Sequence, residues 1–192
     1  MTDENIIEFF RIAGKLKKVE RTGWVTQVGI PNPESVAEHS FRAAIIGMLI
    51  SDIKKMDTEK VMRMLLLHDI AETIIGDWDL SAKKKLGIEK WKDKEIEAFD
   101  KIMQMLPQSL KEDYIAIWKE FEERKTEEAE IAYQSEKLEM ILQALEYMEE
   151  GYDKEKLNSF FENEKDKFTD SDIKALFEIL DKRRKTNPDS QV

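Results

Sequence analysis

The chain contains no cysteine, so neither a disulfide framework nor a thiol nucleophile is available to it. Its N-terminal stretch has no basic segment followed by an apolar run, and no stretch approaches the roughly 18 apolar residues that a membrane helix requires. We therefore expect no signal peptide, no membrane partner and a cytoplasmic location. With 41 acidic against 31 basic residues and a net charge of −10, the chain is also poorly suited to bind nucleic acid.

Glycine and proline are scarce, with 7 and 4 copies in 192 residues. Because both residues interrupt helices, their scarcity beside abundant Ala, Leu, Met, Glu and Lys predicts an all-α protein. The hydrophobic fraction of 41% is enough for a sizeable core. We expect a single domain over residues 1–185, followed by a frayed tail at residues 186–192.

Apolar residues at helical spacing predict helices along the whole chain, and a capping box from Ser35 to Glu38 marks the start of the second one. The preceding segment, residues 17–34, contains two glycines and two prolines, so we expect a loop with a short extended stretch around Val25 and Val28. Residues 77–87 are expected to be irregular or to form one short helix, suited to act as a lid. Further helices are expected at about residues 4–16, 58–75, 89–106, 109–123, 127–149, 153–163 and 171–184.

Histidine occurs only twice, as His39 and His68, and helical spacing places both side chains on apolar faces. Asp69 directly follows the second histidine, and Glu72 lies one helical turn beyond it on the same face. Burial of imidazoles and carboxylates together is unfavourable unless they interact with one another or with a ligand. We therefore interpret the two histidines as parts of one shared site.

Two imidazoles and two carboxylates form a mixed nitrogen and oxygen shell that suits a divalent first-row metal ion. Asp69 supplies one carboxylate, and Glu136, on the apolar stripe of a later helix, is the candidate for the other. A metal ion in such a shell lowers the pKa of bound water and polarises a phosphoryl oxygen, which allows hydrolysis without a protein nucleophile. The alternative interpretation of Glu136 is a surface glutamate paired with Lys137.

Four sequence blocks, in order, carry a family resemblance: LKKVERTGWV, PESVAEHSFRAA, LLLHDIAETIIGD and KLEMILQALEY. Over most of residues 12–150 they resemble the HD-domain metal phosphohydrolases, and more closely the family of HD-domain-containing protein 2 and the YfbR-like 5′-deoxynucleotidases. A bare histidine–aspartate pair recurs by chance, whereas four blocks with this order and spacing are specific. The resemblance implies a helical HD-type bundle and a homodimer. It also implies hydrolysis of nucleoside 5′-monophosphates, with deoxynucleotides as the expected substrates.

The resemblance also implies roles for individual residues. Glu72 and Asp77 correspond to acidic residues near the nucleophile and the substrate sugar, with roles in catalysis and substrate binding. Arg21 corresponds to an arginine that contacts the phosphate, and Trp24 to a tryptophan that packs near the sugar. The family binds one divalent transition metal ion, for which Co, Mn, Fe, Ni and Zn are all candidates. The corresponding ligands in this chain are His39, His68, Asp69 and Glu136.

Two departures from the family pattern bear on this assignment. The family has an aspartate where this chain has Glu136, and the additional methylene moves the carboxylate by roughly 1 Å unless the helix adjusts. The segment after Asp77 also lacks the family's proline-rich continuation. Two alternatives to a deoxynucleotidase therefore remain open. One is an HD phosphohydrolase acting on another phosphate ester or diester, and the other is a metal-binding or interaction protein whose activity the glutamate impairs.

Each remaining site residue has a simpler interpretation as well. Arg21 follows two lysines and is compatible with a solvated basic patch. Trp24 is compatible with plain core packing. Glu72 is compatible with a helix-surface position, and Asp77 with a cap on the following turn.

Overall fold

The computed structural model describes residues 3–186, which form a bundle of helices with no β-strand among them. The predicted all-α class is confirmed. None of the helices in this range is long and apolar enough to span a bilayer. The α-helices are α1 (Asp3–Ala13), α2 (Val36–Lys54), α3 (Thr58–Leu67), α4 (Glu72–Ile75), α5 (Leu80–Leu86), α6 (Ile88–Met103), α7 (Gln108–Glu123), α8 (Glu127–Glu149), α9 (Lys154–Glu164) and α10 (Ser171–Thr186).

The expected tail, residues 186–192, falls outside the described residues except for Thr186, which ends α10. Apart from the helix predicted over residues 58–75, the predicted helices agree with the structure to within a few residues at their ends, and α5 is the single short helix expected within residues 77–87. Two short 3₁₀ segments follow α1 and α9, at Gly14–Lys18 and Lys165–Lys167.

The core consists of two hydrophobic clusters that meet near the histidine–aspartate pair. The larger cluster surrounds α8 and contains apolar side chains from α2, α3, α9 and α10. The smaller one joins α1, α6 and α7 to Leu67, Ile70 and Ala71. Because Met64 and Leu65 belong to the larger cluster and Leu67 to the smaller, the chain crosses from one cluster to the other immediately before His68.

Gly47 allows α2 and α3 to pack closely. A Cβ atom at this position would lie 2.3 Å from Cδ1 of Leu65 and 3.0 Å from Cγ1 of Val61, so any larger side chain would push the two helices apart. His39 lies on α2 and His68 directly follows α3, and their ring centroids are 5.5 Å apart. Close packing at the glycine therefore helps to bring the two histidines together.

The predicted continuous helix over residues 58–75 is wrong. α3 ends at Leu67, residues 68–71 form a turn, and α4 begins at Glu72. Nδ1 of His68 lies 2.7 Å from the carbonyl oxygen of Leu65, and Nε1 of Trp118 donates to the carbonyl oxygen of His68 at 3.4 Å. In a continuous helix, the carbonyl oxygens of Leu65 and His68 would accept hydrogen bonds from backbone N–H groups one turn further on. Here the side chains of His68 and Trp118 contact them instead.

The predicted extended stretch within residues 17–34 is also wrong, because Trp24–Val28 form a turn of π-helix. The turn ends at Gly29, whose φ of 91° suits a residue without a side chain. Before the turn, Glu20 forms an isolated bridge with Ser35, and the backbone nitrogen of Val36 donates to the carbonyl oxygen of Val19 at 2.8 Å. The segment is thereby closed into a loop against the start of α2.

The predicted capping box at the start of α2 is confirmed. The hydroxyl of Ser35 accepts a hydrogen bond from the backbone nitrogen of Glu38 at 3.3 Å, and the carboxylate of Glu38 accepts one from the backbone nitrogen of Ser35 at 2.7 Å. These reciprocal bonds set the first residue of the helix at Val36 and place His39 in its first turn.

Candidate metal centre

The four predicted ligands converge from three separate parts of the chain. Nε2 of His68 lies 3.0 Å from Oδ2 of Asp69. Nε2 of His39 lies 3.9 Å from the same aspartate oxygen and 4.0 Å from Oε2 of Glu136. The possible ligand atoms of both histidines and Glu136 all lie within 4.8 Å of one another. Because metal–ligand bonds to nitrogen and oxygen are about 2.0–2.2 Å long, atoms at these separations can surround a single ion.

The polar atoms that face this point fit a bound cation. Among the described residues, Nε2 of His39, Nε2 of His68 and Oδ2 of Asp69 are buried and make no hydrogen bond, although the last two atoms lie 3.0 Å apart. A buried polar atom without a partner is unfavourable, and three of them in one place indicate a ligand that supplies the missing interaction. Imidazole nitrogens and carboxylate oxygens are donors that divalent first-row metals accept. The residues present therefore fit the metal that the sequence predicts.

Each histidine is held through its other ring nitrogen. Nδ1 of His39 contacts the carboxylate of Glu139, and Nδ1 of His68 contacts the carbonyl oxygen of Leu65 at 2.7 Å. Both partners are acceptors, so each Nδ1 carries the hydrogen, and in the neutral imidazole Nε2 then keeps its lone pair. This is the tautomer that metal binding through Nε2 requires.

The sequence pattern assigned no role to Glu139, although it lies in the fourth of the blocks that carry the family resemblance, three residues beyond Glu136. Its carboxylate is 0% exposed and accepts a hydrogen bond from Nε of Arg42 at 2.8 Å. Arg42 extends outward to the carboxylate of Glu146, with both oxygens 2.7 Å from Nη1. Burial opposes ionisation of Glu139, but His39 and Arg42 hold its pKa below the ordinary value.

Opposing influences also act on the two carboxylates among the predicted ligands. Burial disfavours the charge on Asp69, but the adjacent His68 and Arg21 hold its pKa well below the ordinary value. Burial likewise disfavours the charge on Glu136, whose pKa is nevertheless lowered by Lys137 and His68. Both groups are therefore ionised at neutral pH and available to a cation.

Arg21 lies at the edge of the cluster, with Nη1 3.6 Å from Oδ2 of Asp69. Burial opposes its charge, but the carboxylates of Asp77 and Asp69 raise its pKa, so the guanidinium stays cationic. The loop that carries it is fastened to Asp77. The carboxylate of Asp77 accepts a hydrogen bond from the backbone nitrogen of Thr22 at 2.5 Å, and its carbonyl oxygen accepts one from the hydroxyl of Thr22 at 2.7 Å. Asp77 therefore anchors the loop directly after the arginine.

Glu72 is buried at the start of α4, and its Oε2 has no hydrogen-bond partner among the described residues. Burial, together with the nearby charges of Asp69 and Asp77, raises its pKa well above the ordinary value. The protonated form of the side chain is thereby favoured. A buried carboxylic acid beside these two carboxylates is an arrangement that suits a proton donor.

The structure does not bring Trp24 to the cluster. The residue is 1% exposed, its ring packs against Phe160 and Tyr147 at centroid distances of 4.4 and 5.3 Å, and its Nε1 donates to the carboxylate of Glu34 at 3.0 Å. These contacts are those of a core residue, which agrees with the simpler interpretation of Trp24 as plain core packing. The indole reaches toward the site through Glu34, whose pKa is raised to about 8 by burial and by Glu139, and the backbone nitrogen of Trp24 donates to the carbonyl oxygen of Arg21 at 3.1 Å.

A helical bundle with a histidine–aspartate pair and a later carboxylate at its centre defines the class of HD-type metal-dependent phosphohydrolases. The chain belongs to the HD domain family, whose model matches residues 13–176. It is 34% identical to human 5′-deoxynucleotidase HDDC2 over 95% of this chain and 88% of that protein. It is 37% identical to 5′-deoxynucleotidase HDDC2 of Dictyostelium discoideum over 94% and 99%, respectively. Among solved structures it resembles the PH0347 protein from Pyrococcus horikoshii OT3, with a TM-score of 0.73, 30% identity, and coverage of 93% of this chain and 98% of that one.

Proposed function

We propose that the protein is a metal-dependent 5′-nucleotidase that hydrolyses deoxyribonucleoside 5′-monophosphates to nucleoside and phosphate. One observation carries the proposal: two buried imidazole nitrogens without partners face two carboxylates, with the guanidinium of Arg21 at the edge of this cluster. The names of the relatives, 5′-deoxynucleotidases in both human and Dictyostelium discoideum, support the substrate class.

The proposed cofactor is one divalent transition metal ion, with Co, Mn, Fe, Ni and Zn as candidates. When bound, such an ion acidifies a water ligand and polarises a phosphoryl oxygen. Its proposed ligands are His39, His68, Asp69 and Glu136.

Arg21 is proposed to bind the substrate phosphate. Its planar guanidinium can donate to two phosphate oxygens at once and stabilise the negative charge that grows on them during hydrolysis. The contact with Asp69, at 3.6 Å, keeps the guanidinium beside the predicted ligands, and the bonds between Thr22 and Asp77 hold its loop in place. The role proposed for Asp77 is to position this arginine.

Glu72 is proposed to act as the general acid. Hydrolysis breaks the bond between phosphorus and the 5′-oxygen, and the leaving oxygen must take up a proton while an oxygen from water joins the phosphorus. Burial and the neighbouring carboxylates raise the pKa of Glu72 and favour its protonated form, and among the described residues its Oε2 has no hydrogen-bond partner that would compete for the proton. Transfer of that proton to the 5′-oxygen completes the nucleoside product.

Trp24 is proposed to influence substrate binding indirectly. Its indole donates to Glu34, whose backbone oxygen accepts a hydrogen bond from the backbone nitrogen of Arg21 at 3.1 Å. These two hydrogen bonds connect the tryptophan, which is fixed in the core, to the loop that carries the arginine.

The test measures phosphate release from matched 5′-monophosphates that differ only in the 2′-hydroxyl, with a 3′-monophosphate and a phosphodiester in the same panel. Exhaustive chelation should abolish hydrolysis of the deoxynucleotide, and the readdition of one of the five candidate ions should restore it. His68→Ala should abolish activity while the protein still folds. Equal cleavage of ribonucleotides, preference for the 3′-ester or the diester, or unchanged activity after chelation would each reject the assignment.

We also propose that the protein is a homodimer that pairs through α2. Phe41, Ile45, Leu49 and Ile53 recur every four residues on this helix and are 44–67% exposed, which makes a continuous apolar stripe. A twofold interface uses the same face of both copies, so one such stripe supplies both sides. In light-scattering measurements, Leu49→Asp should give a monomer, while Leu110→Asp, at an exposed position on α7, should not.

A further inference from the structure

Glu136 and Lys137 make a contact that helix geometry does not supply by itself. Consecutive residues on an α-helix point about 100° apart and do not face each other. Nevertheless, Nζ of Lys137 lies 3.0 Å from Oε1 of Glu136, so the lysine side chain curls around the helix to reach its neighbour. The same ammonium lies 5.3 Å from the ring centroid of Tyr133, one turn earlier on α8.

The two oxygens of Glu136 have different surroundings as a result. Oε1 is paired with the ammonium of Lys137, whereas Oε2 faces Nε2 of His39 at 4.0 Å. The pair is therefore charge-assisted, which makes it stronger than a neutral hydrogen bond.

A glutamate ligand needs such support because its side chain has several rotatable torsions that metal binding must fix. We propose that Lys137 is a positioning residue that holds Oε1 of Glu136 and thereby presents Oε2 to the metal ion. The inference rests on the proposed metal site and assigns a role to a residue outside the ligand set. It also gives a reason for the lysine to fold back over its own helix rather than extend into solvent.

The experiment measures the affinity of the metal-free protein for Co²⁺ or Mn²⁺ by titration, together with the visible absorption spectrum of the Co²⁺ form. Lys137→Met keeps the length of the side chain but removes the charge and should weaken metal binding ten- to hundredfold. It should also change the Co²⁺ spectrum, because Glu136 is no longer held in one orientation. Lys137→Arg retains a cationic donor and should bind within about threefold of the wild type.

A matched control is Lys165→Met, because Lys165 pairs with the exposed Glu162 at 3.1 Å far along the chain from the site. This variant should leave metal affinity unchanged. In a Glu136→Gln background, Lys137→Met should have less than a twofold effect, since the proposed role acts through the glutamate. Thermal unfolding of each metal-free variant separates loss of folding from loss of affinity.

Wild-type metal affinity equal to that of Lys137→Met would overturn the inference. A tenfold loss that persists in the Glu136→Gln background would also overturn it, because the lysine would then act by another route. So would unchanged metal affinity combined with weaker binding of inorganic phosphate, which would make Lys137 a substrate ligand. Failure of the wild type itself to bind a metal ion is a distinct result that would reject the proposed function.

Discussion

Nδ1 of His39 contacts the carboxylate of Glu139, a residue 100 positions further along the chain. Behind the glutamate, Arg42 donates to its Oε1 at 2.8 Å and to both oxygens of Glu146 at 2.7 Å. Arg42 lies three residues after His39 on α2, about one helical turn away. Both residues contact Glu139, so α2 and α8 are linked by two side-chain contacts at the same position along the helices. The histidine is therefore held in position from the side opposite the proposed metal.

Glu139→Gln should lower metal affinity about ten- to hundredfold, because the amide can still accept from Nδ1 but no longer carries the charge that strengthens His39 as a ligand. Elemental analysis after dialysis and Co²⁺ titration provide the measurement. Glu146→Gln is the matched control, since it alters the outer partner of Arg42 and leaves the contact with the histidine in place. Equal metal retention in the wild type and Glu139→Gln would show that this carboxylate does not support the ligand.

Arg21→Ala should reduce kcat/KM by about 2–4 kcal/mol of transition-state stabilisation, by comparison with the removal of other oxyanion donors. Arg21→Lys should recover only part of this loss, because an ammonium cannot bind two phosphate oxygens in one plane. Lys17→Ala removes an exposed charge from the same basic segment and serves as the control. A similar loss in both alanine variants would favour the solvated basic patch over a specific phosphate contact.

The parts of the fold that could be predicted from the sequence depend on neighbouring residues. The capping box of Ser35 and Glu38 is local, so its two hydrogen bonds follow from a four-residue pattern. The break after Leu67 could not be predicted, because apolar spacing continues through it and neither glycine nor proline marks it. It depends on Trp118, fifty residues away, which donates to the carbonyl oxygen of His68.

The same distinction applies to the site. His39, His68 and Glu136 could be grouped because each lies on an apolar face, where a polar side chain needs a buried partner, and the structure brings their possible ligand atoms within 4.8 Å of one another. Glu139 had no such signal, since its role arises from a histidine on another helix. Val25 and Val28 favour strands and so predict an extended segment after Gly23. The structure instead has a π-helical turn, in which the hydroxyl of Thr26 donates to the carbonyl oxygen of Thr22, and no sequence pattern predicts this bond.

Glu95 provides a pH-dependent test that does not involve catalysis. Burial and the charge of Glu122 raise its pKa to about 7, whereas in the unfolded chain it has an ordinary value near 4.5. Between these values the folded state holds a proton that the unfolded state has released, so this group lowers stability as pH rises through that interval. Glu95→Gln removes the titration and should match the wild type near pH 4, yet exceed it at pH 8 by roughly 1 kcal/mol or more.

Urea unfolding of the metal-free protein at several pH values measures this difference. Glu97→Gln, at an exposed position on the same helix, is the matched control. The opposite trend for Glu95→Gln, or no trend, would contradict a raised pKa at this position.

Trp24 allows packing to be separated from substrate recognition. Trp24→Ala should destabilise the protein by about 3–5 kcal/mol, because the ring is 1% exposed and packs against Phe160 and Tyr147. Trp24→Phe keeps much of this packing but removes the donor to Glu34, so it should cost less stability and still lower kcat/KM by disturbing the loop of Arg21. Since the indole does not reach the cluster, the ratio of deoxynucleotide to ribonucleotide cleavage in Trp24→Phe should stay within about twofold of the wild type.

Chemical unfolding and the matched 5′-monophosphate assay measure the two effects separately. A collapse of that ratio, with stability preserved, would instead support direct contact between the tryptophan and the sugar.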